Sequence, residues 1–207
     1  MQPKRIVLKR PFDIALSGLG LVLSSPLWAM FSLAIKLEDR GPVFYLQERV
    51  GKGGLTFKVI KFRSMIVDAE RTTGAVQATE HDPRVTRVGR FLRGTAMDEL
   101  PQLVNIFKGD MSFVGPRALR PQEREVMGDP GVLAIEHIPG FAERLTVTPG
   151  LTGVAQVYLP ADAPRRKKFR YDLRYIRRAS FCLDLKLIAL SFLITFRGKW
   201  EYHGKKI

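Results

Sequence analysis

The chain has 207 residues, 45% of them hydrophobic, enough to bury a core and too many for a disordered segment. Lys and Arg number 34 against 20 Asp and Glu, and the net charge of +14 points to a polyanionic partner: nucleic acid, an anionic membrane surface or phosphorylated substrates. Cys182 is alone, which excludes an internal disulfide, and histidines scattered at 81, 137 and 203 suggest no zinc site.

A basic N-terminus, MQPKRIVLKRPFD, leads into a run from Ala15 to Ile35 with no ionisable side chain. A cleaved secretory signal is not expected, because its apolar core would be roughly 7–15 residues and end at a small-residue site. About 20 apolar residues suffice to cross a bilayer, so a single span is one expectation. Re-entry is the other. Pro26 lacks a backbone N–H and costs about 3 kcal/mol or more inside a helix, and Ser24 or Ser25 could offer a hydroxyl to the carbonyl it frees. Lys4, Arg5, Lys9 and Arg10 precede the run while Lys36 and Arg40 follow it, so the positive-inside rule sets no orientation. A helix bent at Ser25-Pro26, with both ends on one face, satisfies both flanks. The residues alone leave the two topologies level.

From Glu38 onward the composition is mixed and charged. VFYLQERVGKGGLTFKVIKFRSM predicts a β-hairpin turning at Gly51–Gly54. The polar stretch from Ile66 to Gly89 predicts an exposed loop with short helical pieces. In TAMDELPQLVNIFKGDM, Leu100, Leu103, Val104 and Phe107 fall at helical spacing, with Thr95 as N-cap and Gly109 as stop. MSFVGPRALRPQ and LTVTPGLTGVAQV read as Gly/Pro-rich loops. Arg165–Arg178 predicts a strongly cationic helix, and the apolar segment after it contains Asp184 and Lys186, which suits an interfacial or core helix better than a span. Arg197, Lys199 and Trp200 resemble an interfacial anchor.

The chemistry concentrates at Asp98 and Glu99. Adjacent acids at a helix start project about 100° apart and cannot share a proton face to face, so two separate roles suit them. Acids there can also merely complement the helix dipole. The cations nearby favour a site: Arg90 and Arg93 precede the pair, Arg117 follows in a Gly-Pro-Arg turn, and KFRSM supplies Lys61 and Arg63. Arginines, a helix N-terminus and an acid for a divalent cation together suit a diphosphate.

KRPFDIALSGLGLVLSSP, FKVIKFRSM, MDELPQLVNIFKGDMSFVGPR and VTPGLTGVAQV, in this order, resemble the bacterial sugar transferase family, the monotopic polyprenyl-phosphate phosphoglycosyl transferases. The likeness runs from about Lys9 to Leu187. It implies transfer of a sugar 1-phosphate from a nucleotide-diphosphate sugar to polyprenyl (undecaprenyl) phosphate, initiating glycan assembly through a covalent phosphosugar–aspartate intermediate and requiring Mg²⁺. By this resemblance Asp98 is the nucleophile and Glu99 the metal-binding partner, while Lys61, Arg93, Arg117 and Asp184 match other polar active-site positions. The family's re-entrant helix breaks at a Ser-Pro pair, matching Ser25-Pro26, which tips the topology toward re-entry.

The implied fold class is α+β and mainly helical: a re-entrant N-terminal membrane helix in residues 1–40, then a cytoplasmic catalytic domain in residues 41–207 with amphipathic interfacial helices and the small hairpin. The expected place is the cytoplasmic face of the bacterial inner membrane, among anionic lipids, with a homodimer left open. Two departures stand out. Pro116-Arg117-Ala118 replaces the family's frequent Pro-Arg-Pro, and YLPADAPRRKK stands where many members have an Asn-Gly-Arg turn, with Arg165 or Arg166 as candidate substitutes. A membrane-anchored nucleic-acid binder would also explain the charge, but no groove-reading motif or aromatic stacking platform supports nucleic acid as a partner. A scaffold without catalysis is disfavoured by the joint presence of Asp98, Glu99, Lys61, Arg93 and Arg117.

Overall fold

The computed structural model describes residues 6–69, 82–121, 134–198 and 206. Lys4, Arg5, His81, His203, Lys199, Trp200 and part of the polar stretch therefore lie outside the described residues. The rest is mainly helical with two small sheets.

Helix α1 runs over Lys9–Asp39, 31 residues, and Pro26 lies inside it without interrupting it. The expected break is a continuous stretch of helix for a local reason. Pro26 cannot donate to the Val22 carbonyl, and the Ser25 hydroxyl donates to it instead at 2.8 Å. One residue back, the Ser24 hydroxyl accepts from the Trp28 indole N–H at 3.0 Å. Apolar side chains at Leu19, Val22, Leu23, Met30 and Leu33 are exposed along the middle of the helix.

Both ends of α1 are fastened to the remainder of the chain. Near its start Lys9 pairs with Asp184 at 2.6 Å, Arg10 donates to the Ile106 and Phe107 carbonyls, and the Asp13 carboxylate accepts from the Phe113 N–H at 3.1 Å. Near its end Trp28, Phe31 and Ile35 pack on Phe62 and Leu92. There too the Glu38 carboxylate accepts the N–H groups of Arg87 and Val88, at 2.7 and 3.1 Å.

The hairpin forms as the sequence predicts. Strands β1 (Phe44–Val50) and β2 (Thr56–Phe62) pair antiparallel, and Gly53 and Gly54 take the left-handed conformations that the turn requires. Helix α2 (Arg87–Gly94), which periodicity did not separate from the polar stretch, follows with Thr86 as its N-cap. The structure then departs from expectation. Thr95 is not the N-cap of the next helix; it closes α2, its hydroxyl donating to the Phe91 carbonyl at 2.8 Å. Ala96 takes a left-handed conformation, and Asp98 and Glu99 occupy a single 3₁₀ turn, Met97–Glu99, ahead of α3 (Gln102–Lys108).

Two segments read as loops contain strands: β3 (Ser112–Val114) pairs parallel with β4 (Gly150–Thr152). The pairing needs glycine. A Cβ on Gly115 would meet the Thr148 carbonyl oxygen at 2.5 Å, and one on Gly150 would meet the Gly115 nitrogen at 2.0 Å. Short helix α4 (Phe141–Arg144) lies between the two strands. After β4 come α5 (Val154–Tyr158), α6 (Arg165–Arg178) and α7 (Phe181–Phe196). Helix α6 buries Phe169, Asp172, Tyr175 and Ile176 at helical spacing, while α7 buries Asp184, Leu187 and Ile194 and leaves Phe192 and Phe196 exposed.

Asn105 joins α3 to the hairpin. Its side-chain oxygen accepts from the Ile60 N–H at 3.0 Å and its amide donates to the Lys58 carbonyl at 2.8 Å, so it acts as a further strand on the edge of β2. Asn105→Ala should cost about 1–3 kcal/mol, because two backbone groups lose a buried partner. Thermal unfolding of the detergent-solubilised protein reads this directly, and an unchanged midpoint would mean the clamp is dispensable.

Candidate active site

Four segments meet at the Asp98–Glu99 turn. The hairpin brings Lys61, and the end of β3 brings Arg117. Helix α2 delivers the turn itself, and α3 carries it away. Asp98 and Glu99 are both buried, at 9% and 7% exposure, which decides that their charges need partners. Lys61 Nζ lies 2.7 Å from Glu99 Oε1 and 3.9 Å from Asp98 Oδ2. Arg117 Nη2 lies 3.7 Å from the same Glu99 oxygen.

Burial by itself would push the Glu99 carboxyl up. Lys61 and Arg117, with a smaller contribution from Arg49, outweigh it and hold Glu99 at about 2. Glu99 is therefore a fixed anion at any physiological pH. Lys61 reaches both acids and lies closer to Glu99 than to Asp98. Separate duties for the two acids match that asymmetry.

Arg49 was not singled out from the sequence. The register places Tyr45 opposite Lys61, Gln47 opposite Val59 and Arg49 opposite Phe57, so Arg49 and Lys61 share one face of the hairpin. The signal was the alternation in YLQERV, which becomes readable once the turn fixes the register. Arg49 also donates to the Ala118 carbonyl at 2.9 Å, and the Val50 N–H bonds the Leu119 carbonyl at 2.8 Å, which seats the hairpin against the Arg117 turn. From the other side, buried Arg144 donates to the Arg117 carbonyl at 2.8 Å and to Asp172 at 2.8 Å, its guanidinium lying over the Phe169 ring. Arg144 is a positioning residue for Arg117, and nothing in its local sequence marks it as such.

The remaining expected residues lie as follows. Arg93 is half-buried in the last turn of α2, immediately before the reversal that delivers Asp98. Arg63 is buried and paired with Asp39 at the end of α1. Asp184 lies in a knot with Lys9 and Tyr175, whose hydroxyl donates to it at 2.8 Å, and this knot ties α1 to α6 and α7. Arg63 and Asp184 are thus found in contacts that hold the helices, whereas Lys61 and Arg117 converge on the acids.

Among the described residues no group of three or more His, Cys, Asp and Glu is poised around one point. Mg²⁺ typically binds through one or two carboxylates plus substrate phosphates and keeps several waters. Two adjacent carboxylates, one of them held ionised, fit that mode.

A carboxylate pair ringed by lysine and arginine from separate elements is suited to receive a phosphate-bearing anion beside a nucleophilic oxygen. The chain belongs to the bacterial sugar transferase family, which matches residues 4–198. It is 51% identical over 140 residues to a Bacillus subtilis protein provisionally named as an undecaprenyl-phosphate N-acetylgalactosaminyl 1-phosphate transferase, covering 68% of this chain and 74% of that one. It is 43% identical over 188 residues to the undecaprenyl-phosphate glucose phosphotransferase of Komagataeibacter xylinus, covering 88% of this chain and 35% of that one. The UDP-glucose:undecaprenyl-phosphate glucose-1-phosphate transferase of Escherichia coli is 42% identical over 201 residues, covering 93% of this chain and 40% of its own. The chain therefore spans well under half the length of the latter two relatives.

Because Glu99 in the fold lies below the ordinary carboxylate value of 4.5, its stabilising contribution is fully present above that pH and is lost as pH falls toward 2. Acid unfolding should be shallower in Glu99→Gln across that window. At neutral pH, Lys61→Met should cost about 3–5 kcal/mol by stranding a buried anion, and Glu99→Gln in the same chain should restore most of the loss. A double-mutant cycle by thermal unfolding measures the coupling, and additive losses would disprove it.

Proposed function

We propose that the protein transfers a sugar 1-phosphate from a nucleotide-diphosphate sugar to undecaprenyl phosphate at a membrane surface, with Asp98 as the nucleophile. The observation that carries this reading is Glu99 held as a buried anion between Lys61 and Arg117, directly beside Asp98. Names of the relatives specify UDP-glucose and N-acetylgalactosamine 1-phosphate chemistry, which favours a UDP-hexose as donor.

An Asp98 carboxylate oxygen attacks the sugar-bearing phosphorus, and the bond from that phosphorus to the bridging oxygen breaks. The nucleoside monophosphate leaves with the bond's electron pair, and an acyl phosphate remains on Asp98. An oxygen of the lipid phosphate then attacks the same phosphorus, releasing the lipid diphosphosugar and restoring the carboxylate. Arg117 and Lys61 offset the charge that accumulates on the phosphoryl oxygens, and Arg117 can do so with a two-pronged contact. Glu99 would hold Mg²⁺, which when bound withdraws charge from the diphosphate. Arg93, at the entry to the turn, adds to the cationic surroundings, whereas Arg63 is engaged by Asp39.

The membrane reading rests on α1. It is long and apolar enough to cross a bilayer, yet both of its ends dock on one body while its exposed apolar side chains lie between them. A helix that crossed the bilayer would leave one of those docking surfaces on the far side. Re-entry on the cytoplasmic face, with residues 1–40 as the anchor and 41–207 as the catalytic unit, accommodates both, and exposed Phe192 and Phe196 of α7 add apolar surface for the same interface.

Asp98→Asn should lower turnover by about three orders of magnitude or more while leaving the fold intact. With UDP-hexose present and lipid withheld, intact-protein mass spectrometry should find a hexose-phosphate adduct on the wild type and none on the variant; full activity in Asp98→Asn would remove the nucleophile assignment. Topology is tested in a Cys182→Ser background, since Cys182 is exposed. Single cysteines near Lys4 and near Arg40 should both resist a membrane-impermeant maleimide in intact cells and both react after lysis. Labelling at the Lys4 position alone in intact cells would mean that α1 spans.

A further inference from the structure

Arg117 reaches Glu99 from a turn whose backbone is held residue by residue. The Pro116 carbonyl accepts from the Gly150 N–H at 2.9 Å and the Arg117 carbonyl from Arg144 Nη2 at 2.8 Å. The Ala118 carbonyl accepts from Arg49 Nη1 at 2.9 Å and the Leu119 carbonyl from the Val50 N–H at 2.8 Å. Four successive carbonyls thus take donors from three elements, β4, α4 and β1. Pro116, Ala118 and Leu119 are buried, so their carbonyls need partners within the protein. Two of the four donors are arginine side chains, whose charge-assisted bonds are about twice as strong as neutral ones.

Arg49 differs from the other donors in what else it joins. Its Nη2 donates to the Gln47 side-chain oxygen, and Gln47 Nε2 donates to the Tyr45 hydroxyl at 3.1 Å. Tyr45, Gln47 and Arg49 alternate along β1 and so line one face of the hairpin, the face on which Tyr45 stands opposite Lys61. One prong of the Arg49 fork is therefore on the strand pair that carries Lys61, and the other is on the turn that carries Arg117. The hairpin tip is fastened at the same place, since the Gly53 N–H donates to the Leu145 carbonyl at 2.8 Å, one residue after Arg144. From these two bodies Lys61 and Arg117 approach the same Glu99 oxygen, at 2.7 and 3.7 Å. The spacing of the two cations is set where the bodies join, and Arg49 is at that join. Its charge acts on Glu99 as well, after those of Lys61 and Arg117.

We propose that Arg49 is a positioning residue for the transfer reaction, its guanidinium bridging Gln47 and the Ala118 carbonyl so that Lys61 and Arg117 keep a fixed spacing about the Asp98–Glu99 pair. This rests on the transferase reading and deepens it, because the diphosphate then meets two cations spaced in advance. A planar fork with two donors at a set angle can hold strand and turn at once. A lysine in its place keeps the charge toward Glu99 but has one nitrogen and cannot span the two. Misplacing a group that contacts the reacting phosphate by about 1 Å can cost a hundredfold in rate.

The test is a double-mutant cycle on the full chain in detergent, reading release of nucleoside monophosphate from UDP-hexose in the presence of undecaprenyl phosphate. Arg49→Met should lower kcat by about ten- to a hundredfold. In an Arg117→Met background the same change should cost no more than about threefold, the part owed to its charge on Glu99, because no Arg117 remains to be positioned. Arg49→Lys, which keeps that charge, should recover no more than about threefold of the loss. Losses that multiply in the double variant would show a residue that only stabilises the fold, and would overturn the proposal. Recovery of the wild-type rate by Arg49→Lys would overturn the bridge in favour of charge alone. Hydrogen exchange read by mass spectrometry follows the join without turnover. Peptides holding Val50 and Gly53 should exchange about tenfold faster in Arg49→Met, with peptides of α7 unchanged. Wild-type exchange at Val50 in that variant would overturn the clamp even if the rate fell. The transferase reading is scored apart: if the wild type releases no nucleoside monophosphate from any UDP-hexose, that reading fails, while faster exchange in Arg49→Met still supports the join.

Discussion

Everything in this molecule is hung on a helix that is tied down at both ends. At its start, Lys9, Arg10 and Asp13 bind α7, α3 and β3; at its end, Glu38 caps α2 and Asp39 holds Arg63. These are charge-assisted contacts made by the polar flanks of an apolar run, so they orient α1 without using its apolar side chains. Between the ties, the helix packs Phe31 and Ile35 inward and leaves Leu19, Val22, Leu23, Met30 and Leu33 uncovered. The same arrangement positions the chemistry, because α2, capped by Glu38, leads directly into the turn that carries Asp98.

The site itself is a problem of buried charge. Two carboxylates lie within a fold that could not stabilise them by hydration, and the cations that compensate come from positions far apart in sequence. Lys61 belongs to a strand and Arg117 to a turn after another strand, and Arg49 contributes from across the hairpin. Buried ion pairs of this kind seldom stabilise a protein relative to well-packed apolar groups, since desolvation consumes most of their attraction. On the proposed transferase reading they amount to preorganisation: the cations would already be in place for an incoming diphosphate, with no reorganisation needed at the moment of transfer.

Arg144 shows how far such preorganisation extends. It fixes the Arg117 carbonyl, while Asp172 and Phe169 fix Arg144 in turn. Burial pushes the Asp172 carboxyl up, and Arg144, with smaller contributions from Lys168 and Arg165, opposes that push. Much of the net positive charge is accordingly not a diffuse coat. Part of it is concentrated on α6.

What could be read from the sequence was what local pattern controls. The hairpin around Gly51–Gly54 and helix α6 follow from alternation, turn residues and spacing, and the bounds of α6 are those expected. The Asp98–Glu99 pair, Lys61 and Arg117 were legible as an acidic motif with cations nearby, and the hydroxyl that satisfies the carbonyl freed by Pro26 was foreseen at Ser24 or Ser25. What the sequence concealed was decided over long range. Thr95 looked like an N-cap until the packing of α2 claimed it, and the acids sit in a 3₁₀ turn because left-handed Ala96 separates two short helices. Strands β3 and β4, three residues each, have no periodicity to detect and exist because residues 38 apart pair through close glycine contacts. Arg49 and Arg144 gained their roles only when register and packing set them beside Glu99 and Arg117. Local pattern specifies which elements form, since it depends on neighbours along the chain; which charges meet depends on neighbours in space, and that only the tertiary structure decides.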